Sequence, residues 1–142
     1  MTDAIGQLKN GTVASVVQRA TPGNRGPDGL IVWSYRHDVV IGLECILRSR
    51  KIEGKKRGAA KYIADNYPDF DRLKRDADNS LAVSIVSWRR LFKEKNVPES
   101  EDFQQRQSEF FERHGELSPA EMFELGKQHL ALAAELTTRA VF

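Results

Sequence analysis

The chain has few of the residues that build covalent or metal-centred sites. It contains one cysteine, Cys45, and three histidines among 142 residues. A single cysteine cannot close an intramolecular disulfide, and none of the histidines belongs to an HExxH or ExxH pair that places two ligands on one helix face. The sequence therefore predicts a reducing, cytoplasmic setting, no metal site and no cofactor.

Long apolar runs are also missing. No stretch reaches the roughly 18 consecutive apolar residues that a membrane span requires, and residues 1–12 lack the basic and then apolar regions of a signal peptide. A hydrophobic content of 40% and a charged content of 30% lie near the values of globular proteins. We expect one soluble helical domain over residues 1–142, with no membrane partner.

Motifs of well-known catalytic sites are absent as well. The chain has no GxSxG serine-hydrolase pattern, and GKKRG at 54–58 has lysines but not the spacing of a Walker phosphate loop. Cys45 lies on an apolar helical face, where thiols are packing groups rather than nucleophiles. The sequence assigns no catalytic residue.

The N-terminal part, residues 1–29, has no clear periodicity. It ends in TPGNRGPDG at 21–29, where two prolines and three glycines exclude regular structure and predict a surface loop. A small β-hairpin over residues 11–36, with this loop between its strands, is the alternative to a helix beginning at residue 30.

Helical periodicity begins after that loop. Residues 30–50 carry apolar side chains at helical spacing, and residues 59–67 form a shorter segment that ends before Pro68. From residue 69 one apolar stripe predicts a long helix with one buried face, which Asn79 and Ser80 could instead divide. The stripe comprises Leu73, Ala77, Leu81, Ile85, Trp88 and Phe92.

Two more helices are predicted towards the C-terminus. Ser100 is a candidate cap for a helix that carries three phenylalanines, and Ser118 with Glu121 forms a capping box, with Pro119 at the first helical position of a helix that reaches about Arg139. The expected buried face of this last helix comprises Met122, Leu125, His129, Leu132, Ala133 and Leu136. The predicted fold is mainly α, a single-domain antiparallel bundle of about five helices.

The strongest functional feature is a cluster of positive charge, which we call the basic segment (residues 48–61). It holds seven basic residues against one acid and has a local charge of +6, whereas the whole chain has +2. Such a concentration favours phosphates or an acidic protein as partner, although cations near helix ends are also common on ordinary surfaces. The candidate anion-binding residues are Arg48, Arg50, Lys51, Lys55, Lys56, Arg57 and Lys61.

An opposite charge cluster lies further along the chain. The acidic segment (residues 99–124) has eight acids and two bases, a local charge of −6. If the two segments face each other within one molecule, the positive charge is neutralised internally. If they lie apart, it is open to a partner or a second copy of the chain.

Three functions are compatible with these features. We favour a non-enzymatic binding or assembly module whose basic segment engages an anionic partner such as nucleic acid. One alternative is a helical nuclease of a bacterial or phage defence system, with HEPN-like architecture and a site built from Arg36, His37, Arg89 and Arg90, although the arginine-to-histidine spacing of HEPN ribonucleases is absent. The other alternative is a structural protein that forms homodimers through apolar helix faces.

Overall fold

A computed structural model describes residues 29–141 of the protein. In that range the chain is mainly helical, as predicted, and contains no strand. The elements are α1 (Leu30–Ser49), α2 (Lys55–Asn66), a short 3-10 helix (Pro68–Leu73), α3 (Leu81–Lys93), α4 (Ser100–His114) and α5 (Pro119–Arg139). The antiparallel arrangement of the helices stays a prediction.

The hairpin alternative over residues 11–36 is only partly covered by the structure. Residues 11–28 lie outside the described range. Residues 30–36 form the first turns of α1, so a second strand there is wrong. Apolar residues at helical spacing continue towards residue 49. One helix can therefore bury apolar side chains along the whole stretch, which favours a helix over a strand at its start.

Helix α1 is the central element of the fold. It contacts α5 most extensively and also packs against α2, α3 and α4. Its middle, from Val39 to Leu43, is buried on successive residues, which is typical of a helix surrounded by others rather than one with a single buried face. A cleft between α1, α3 and α4 opens beside this helix.

The long helix predicted from residue 69 is divided in two. Ser80 caps α3, with its Oγ accepting a hydrogen bond from the backbone N–H of Val83 at 3.2 Å, and Pro68 begins the separate 3-10 helix, as expected for a residue that cannot lie inside a helix. Ala77 lies in the intervening link and is exposed, so its assignment to the core was wrong. Leu73 is buried at the end of the 3-10 helix.

The two C-terminal helices follow the predictions at one cap and depart from them at another. Ser118 and Glu121 form the predicted capping box. Ser100 does not cap α4; it is the first helical residue, and Glu99 precedes it with a left-handed φ of 58°. Leu132 and Leu136, predicted to be buried, are 57% and 42% exposed. None of the described helices is long and apolar enough to cross a membrane.

Candidate anion-binding surface and adjoining clefts

The basic segment occupies the end of α1, the link that follows and the start of α2. Arg48 lies in the last turn of α1, and α2 begins at Lys55, four residues earlier than the periodicity predicted. All seven basic side chains of the segment are exposed. The helix boundary thus places three of its cations, Lys55, Lys56 and Arg57, in the first turn of α2.

The link between α1 and α2 is a tight backbone turn. Arg50, Gly54 and Lys55 have φ values of 57°, 93° and 53°, all in the left-handed region. At Gly58 a Cβ atom would lie only 1.7 Å from the carbonyl oxygen of Glu53, so no side chain fits there. The close approach of the link to α2 therefore requires glycine at position 58.

The first turn of α2 is an unfavourable place for positive charge. Backbone N–H groups at a helix N-terminus carry partial positive charge, so anions are stabilised there and cations are not, by about 0.3–1 kcal/mol per charge. This helix has no acidic residue in its first turn. The common explanation for a basic run, that cations complement a helix C-terminus, holds for Arg48 and fails for the three cations of α2.

Few of the basic side chains are neutralised within the protein. Lys61 forms an exposed ion pair with Asp65 at 2.9 Å, and the Arg48 guanidinium lies over the Phe111 ring, 3.7 Å from its centroid. Across residues 29–141 no ion pair involves the five other cations, Arg50, Lys51, Lys55, Lys56 and Arg57. No ion pair in this range joins the basic segment to the acidic segment.

A cleft of about 340 Å³, the first cleft, opens beside the basic segment between α1, α3 and α4. On each of the three helices the lining residues recur at spacings of three and four positions, so each helix presents one face to the cleft. The lining residues are His37, Val40, Glu44, Arg48, Arg89, Phe92, Lys93, Gln104, Gln107, Ser108 and Phe111.

The charges of the first cleft are arranged by depth. Arg89 and Glu44 are mostly buried and form an ion pair, with Nε 2.5 Å from Oε2. Arg48 and Lys93 are exposed. The inner part is therefore electrically balanced, while the uncompensated charge of the cleft lies at its exposed side.

His37 is the most buried polar residue of this cleft, with 1% of its surface exposed. Its ring packs against Phe92 and Phe103, with centroids 4.9 and 5.0 Å away. Burial, followed by the positive charge of Arg106, lowers the pKa of His37 to about 4, so the ring is neutral at physiological pH. Neither ring nitrogen has a hydrogen bond of ordinary length and angle within the described structure, although the Gln107 side chain is close enough to raise the pKa slightly against the larger effect of burial.

A second cleft of about 280 Å³ adjoins the first. Arg89 and Lys93 line both clefts. The second cleft adds Lys56 from the basic segment and Arg90, which forms an ion pair with Glu94 at 3.1 Å. Cationic side chains thus continue from the basic segment along both clefts.

The four residues of the nuclease alternative are not brought together. Arg36 is buried, donates two hydrogen bonds to the carbonyl oxygen of Leu73 at 2.8 and 2.6 Å, and lies over the Trp33 ring. This role is structural, because it holds the 3-10 helix against α1. Only His37 and Arg89 share the first cleft, and Arg90 lines the second.

Sequence reasoning did not find the remaining polar lining of the first cleft. Glu44, Lys93, Gln104, Gln107 and Ser108 were not candidates, because each is unremarkable in its own segment. One signal was present in α1, where His37, Glu44 and Arg48 interrupt an apolar helix at spacings of seven and four residues. Which residues of α3 and α4 face them depends on helix packing.

Two other candidate chemistries are not supported by the geometry. Cys45 is fully buried, and burial raises the pKa of its thiol to about 12, which agrees with a packing role. Among the described residues, no three His, Cys, Asp or Glu side chains are placed to hold a metal ion together.

Comparisons of the chain with protein families, curated proteins and solved structures find no match.

Proposed function

We propose that the protein is a non-enzymatic module that binds the phosphate groups of nucleic acid through the basic segment. The observation that carries this proposal is the placement of Lys55, Lys56 and Arg57 in the first turn of α2, exposed and without ion pairs to other described residues. Positive charge at this end of a helix costs stability, and no acidic residue within the first turn of α2 offsets the cost. A phosphate bound here would interact both with the cations and with the helix N-terminus.

The surroundings of the segment favour a flexible polyanion over a single small anion. The exposed cations extend from the end of α1 through the link to the second turn of α2. Several phosphates can be contacted at once by such a surface, and each neutralised phosphate releases counterions. Binding of this kind is weak, insensitive to sequence and strongly dependent on salt.

The test is the salt dependence of binding to a short single-stranded oligonucleotide. Replacing Lys55 and Arg57 by glutamine removes two phosphate contacts, so the slope of log affinity against log salt becomes shallower by up to about 1.4, at roughly 0.7 per contact for single strands. Fluorescence anisotropy titrations over a range of sodium chloride concentrations measure this slope.

The control is a double variant with the same change of charge elsewhere. Lys95→Gln with Arg113→Gln also removes one lysine and one arginine, and Lys95 has a left-handed φ of 60°, close to the 53° of Lys55. We expect this control to keep the wild-type slope. The proposal is wrong if affinity does not change with salt, or if both double variants lose the same amount. Binding to an acidic protein but not to nucleic acid would also contradict it.

A further inference from the structure

The cations of the two clefts continue the proposed phosphate-binding surface. Arg48 and Lys56 belong to the basic segment and line the first and the second cleft respectively, and Arg89 and Lys93 line both. A strand bound along the basic segment therefore passes the mouth of the first cleft. Its phosphates remain beside the exposed side chains of Arg48 and Lys93.

The inner part of the first cleft differs from the surface in charge. The Arg89–Glu44 ion pair is balanced, and the His37 ring is neutral at physiological pH because its pKa is lowered to about 4. A charged phosphate gains little from entering such a site, whereas a neutral and polar group gains more. The exposed side of the cleft thus suits an anionic group, whereas its inner part suits an uncharged polar group.

The shape and chemistry of the interior suit a nucleobase. The volume of about 340 Å³ lies in the range of small-ligand pockets. Phe92 and Phe111 form apolar walls, and the planar Arg48 guanidinium lies over Phe111, an arrangement on which bases can stack.

Hydrogen-bonding groups in the interior are available to such a base. Gln104 already donates its Nε2–H to the Phe92 carbonyl oxygen at 2.9 Å, which leaves its amide oxygen as an acceptor. Gln107 and Ser108 add donors and acceptors. The His37 ring nitrogens are enclosed behind this lining without a well-formed hydrogen bond, and the Gln107 side chain is a polar neighbour of the ring. A base has complementary groups on its edge.

We propose that the first cleft receives one base of a single-stranded nucleic acid, with the neighbouring phosphates on Arg48, Lys93 and the second cleft. This inference rests on the proposed function and adds to it a site that recognises the base rather than the backbone. It predicts that single strands bind more tightly than backbones of equal charge that lack bases.

The experiment compares two strands on each protein variant at low salt. The probes are a labelled oligothymidylate and an abasic strand with the same number of phosphates, so their electrostatic attraction is equal. For the wild type we expect the oligothymidylate to bind about fivefold more tightly or better, the lower end of what one stacked base contributes. Ser108→Leu fills the cleft from an exposed position of its lining, and we expect it to bind both strands equally.

A matched substitution elsewhere on α4 distinguishes base binding in the cleft from phosphate binding on the surface. The quantity compared is the ratio of the affinities for the two strands. Gln105→Leu is one turn earlier on α4, also exposed and not part of the lining, and we expect it to keep the wild-type preference. Equal binding of the two strands by the wild type, or an unchanged preference in Ser108→Leu, would overturn the inference. Salt-dependent binding without any preference would leave the proposed function intact and remove only this site, whereas no binding of either strand would remove both.

Discussion

His37 is a titratable side chain whose behaviour is set by its surroundings. Its ring lies among Phe92, Phe103 and the polar groups of the first cleft, almost without exposure. Taking an imidazolium ion out of water is unfavourable, and the nearby Arg106 charge adds repulsion, so the neutral ring is favoured and the pKa is about 4. In the nuclease alternative this residue was a catalytic candidate, but a ring with so low a pKa is a weak base at neutral pH.

The stability of the protein is expected to depend on pH through the titration of His37. Because the pKa of His37 in the folded protein lies below its unfolded value of 6.5, the unfolded chain takes up a proton between these values that the folded protein does not. The stabilisation is fully present above about pH 6.5 and is lost as the pH falls towards 4, and its size is on the order of 3 kcal/mol.

Replacement of His37 by phenylalanine tests this prediction, since an aromatic ring is kept and the titration is removed. Urea unfolding of both proteins at several pH values between 4 and 7 gives the difference in unfolding free energy. We expect the wild type to lose stability relative to His37→Phe as the pH falls. Parallel curves for the two proteins would show that His37 does not titrate in this way.

At the scale of elements, the contact between α1 and α5 is the largest in the described fold and depends on small residues. A Cβ atom on Gly126 would lie 2.8 Å from the Cβ of Cys45 and 3.3 Å from the Cδ1 of Ile46. A Cβ atom on Gly42 would meet the Leu130 side chain. The two helices therefore approach each other more closely than larger side chains allow.

Gly126→Ala is expected to destabilise the protein by about 1–2 kcal/mol. The alanine improves helix propensity by up to about 1 kcal/mol, but the clash with the first side-chain carbon of Cys45 cannot be relieved by rotating a side chain, and overpacking costs about 1–3 kcal/mol. Thermal or denaturant unfolding of the variant measures the net effect.

A double-mutant cycle identifies the contact responsible for that loss. In a Cys45→Gly background the opposing Cβ is absent, so the same Gly126→Ala change should no longer destabilise the protein. If Gly126→Ala costs the same in both backgrounds, the close approach at Cys45 is not its cause.

At the scale of the whole molecule, positive and negative charges are concentrated in different segments of the chain. In the described structure no ion pair joins the basic segment to the acidic segment. The ion pairs are mostly exposed contacts within one helix, and the Arg89–Glu44 pair is a less exposed one between helices. Exposed pairs contribute little to stability. The basic segment is therefore not expected to hold the fold together.

Removal of its charge should consequently leave the fold as stable as before. We expect Lys55→Gln with Arg57→Gln to melt within about 2 °C of the wild type or slightly above it, since no ion pair is lost and repulsion at the N-terminus of α2 is reduced. Thermal unfolding followed by circular dichroism measures this. A clear fall in melting temperature would mean that the segment is neutralised within the protein, and would remove the basis of the proposed function.

Local signals predicted much of the fold. Three of these signals act over three or four residues, so they can be recognised without the rest of the chain. They are the capping box at Ser118, the division of the long helix at Asn79 and Ser80, which was one of two alternatives, and the helix end before Pro68. Errors arose where packing decides. Leu132 and Leu136 share the periodicity of α5, yet no described element covers them, and Ala77 fits the apolar stripe only if the helix is continuous.

The sequence by itself determined the helical class, the unequal distribution of charge and the absence of familiar catalytic motifs, because each depends on residue type and short-range spacing. Only the tertiary structure decided that three cations begin α2 rather than precede it, that Arg36 supports the 3-10 helix, and that residues from α1, α3 and α4 line one cleft with a neutral interior. These features depend on which faces of distant segments meet and how deeply each side chain is buried. Those quantities are set by the packing of the helices against one another.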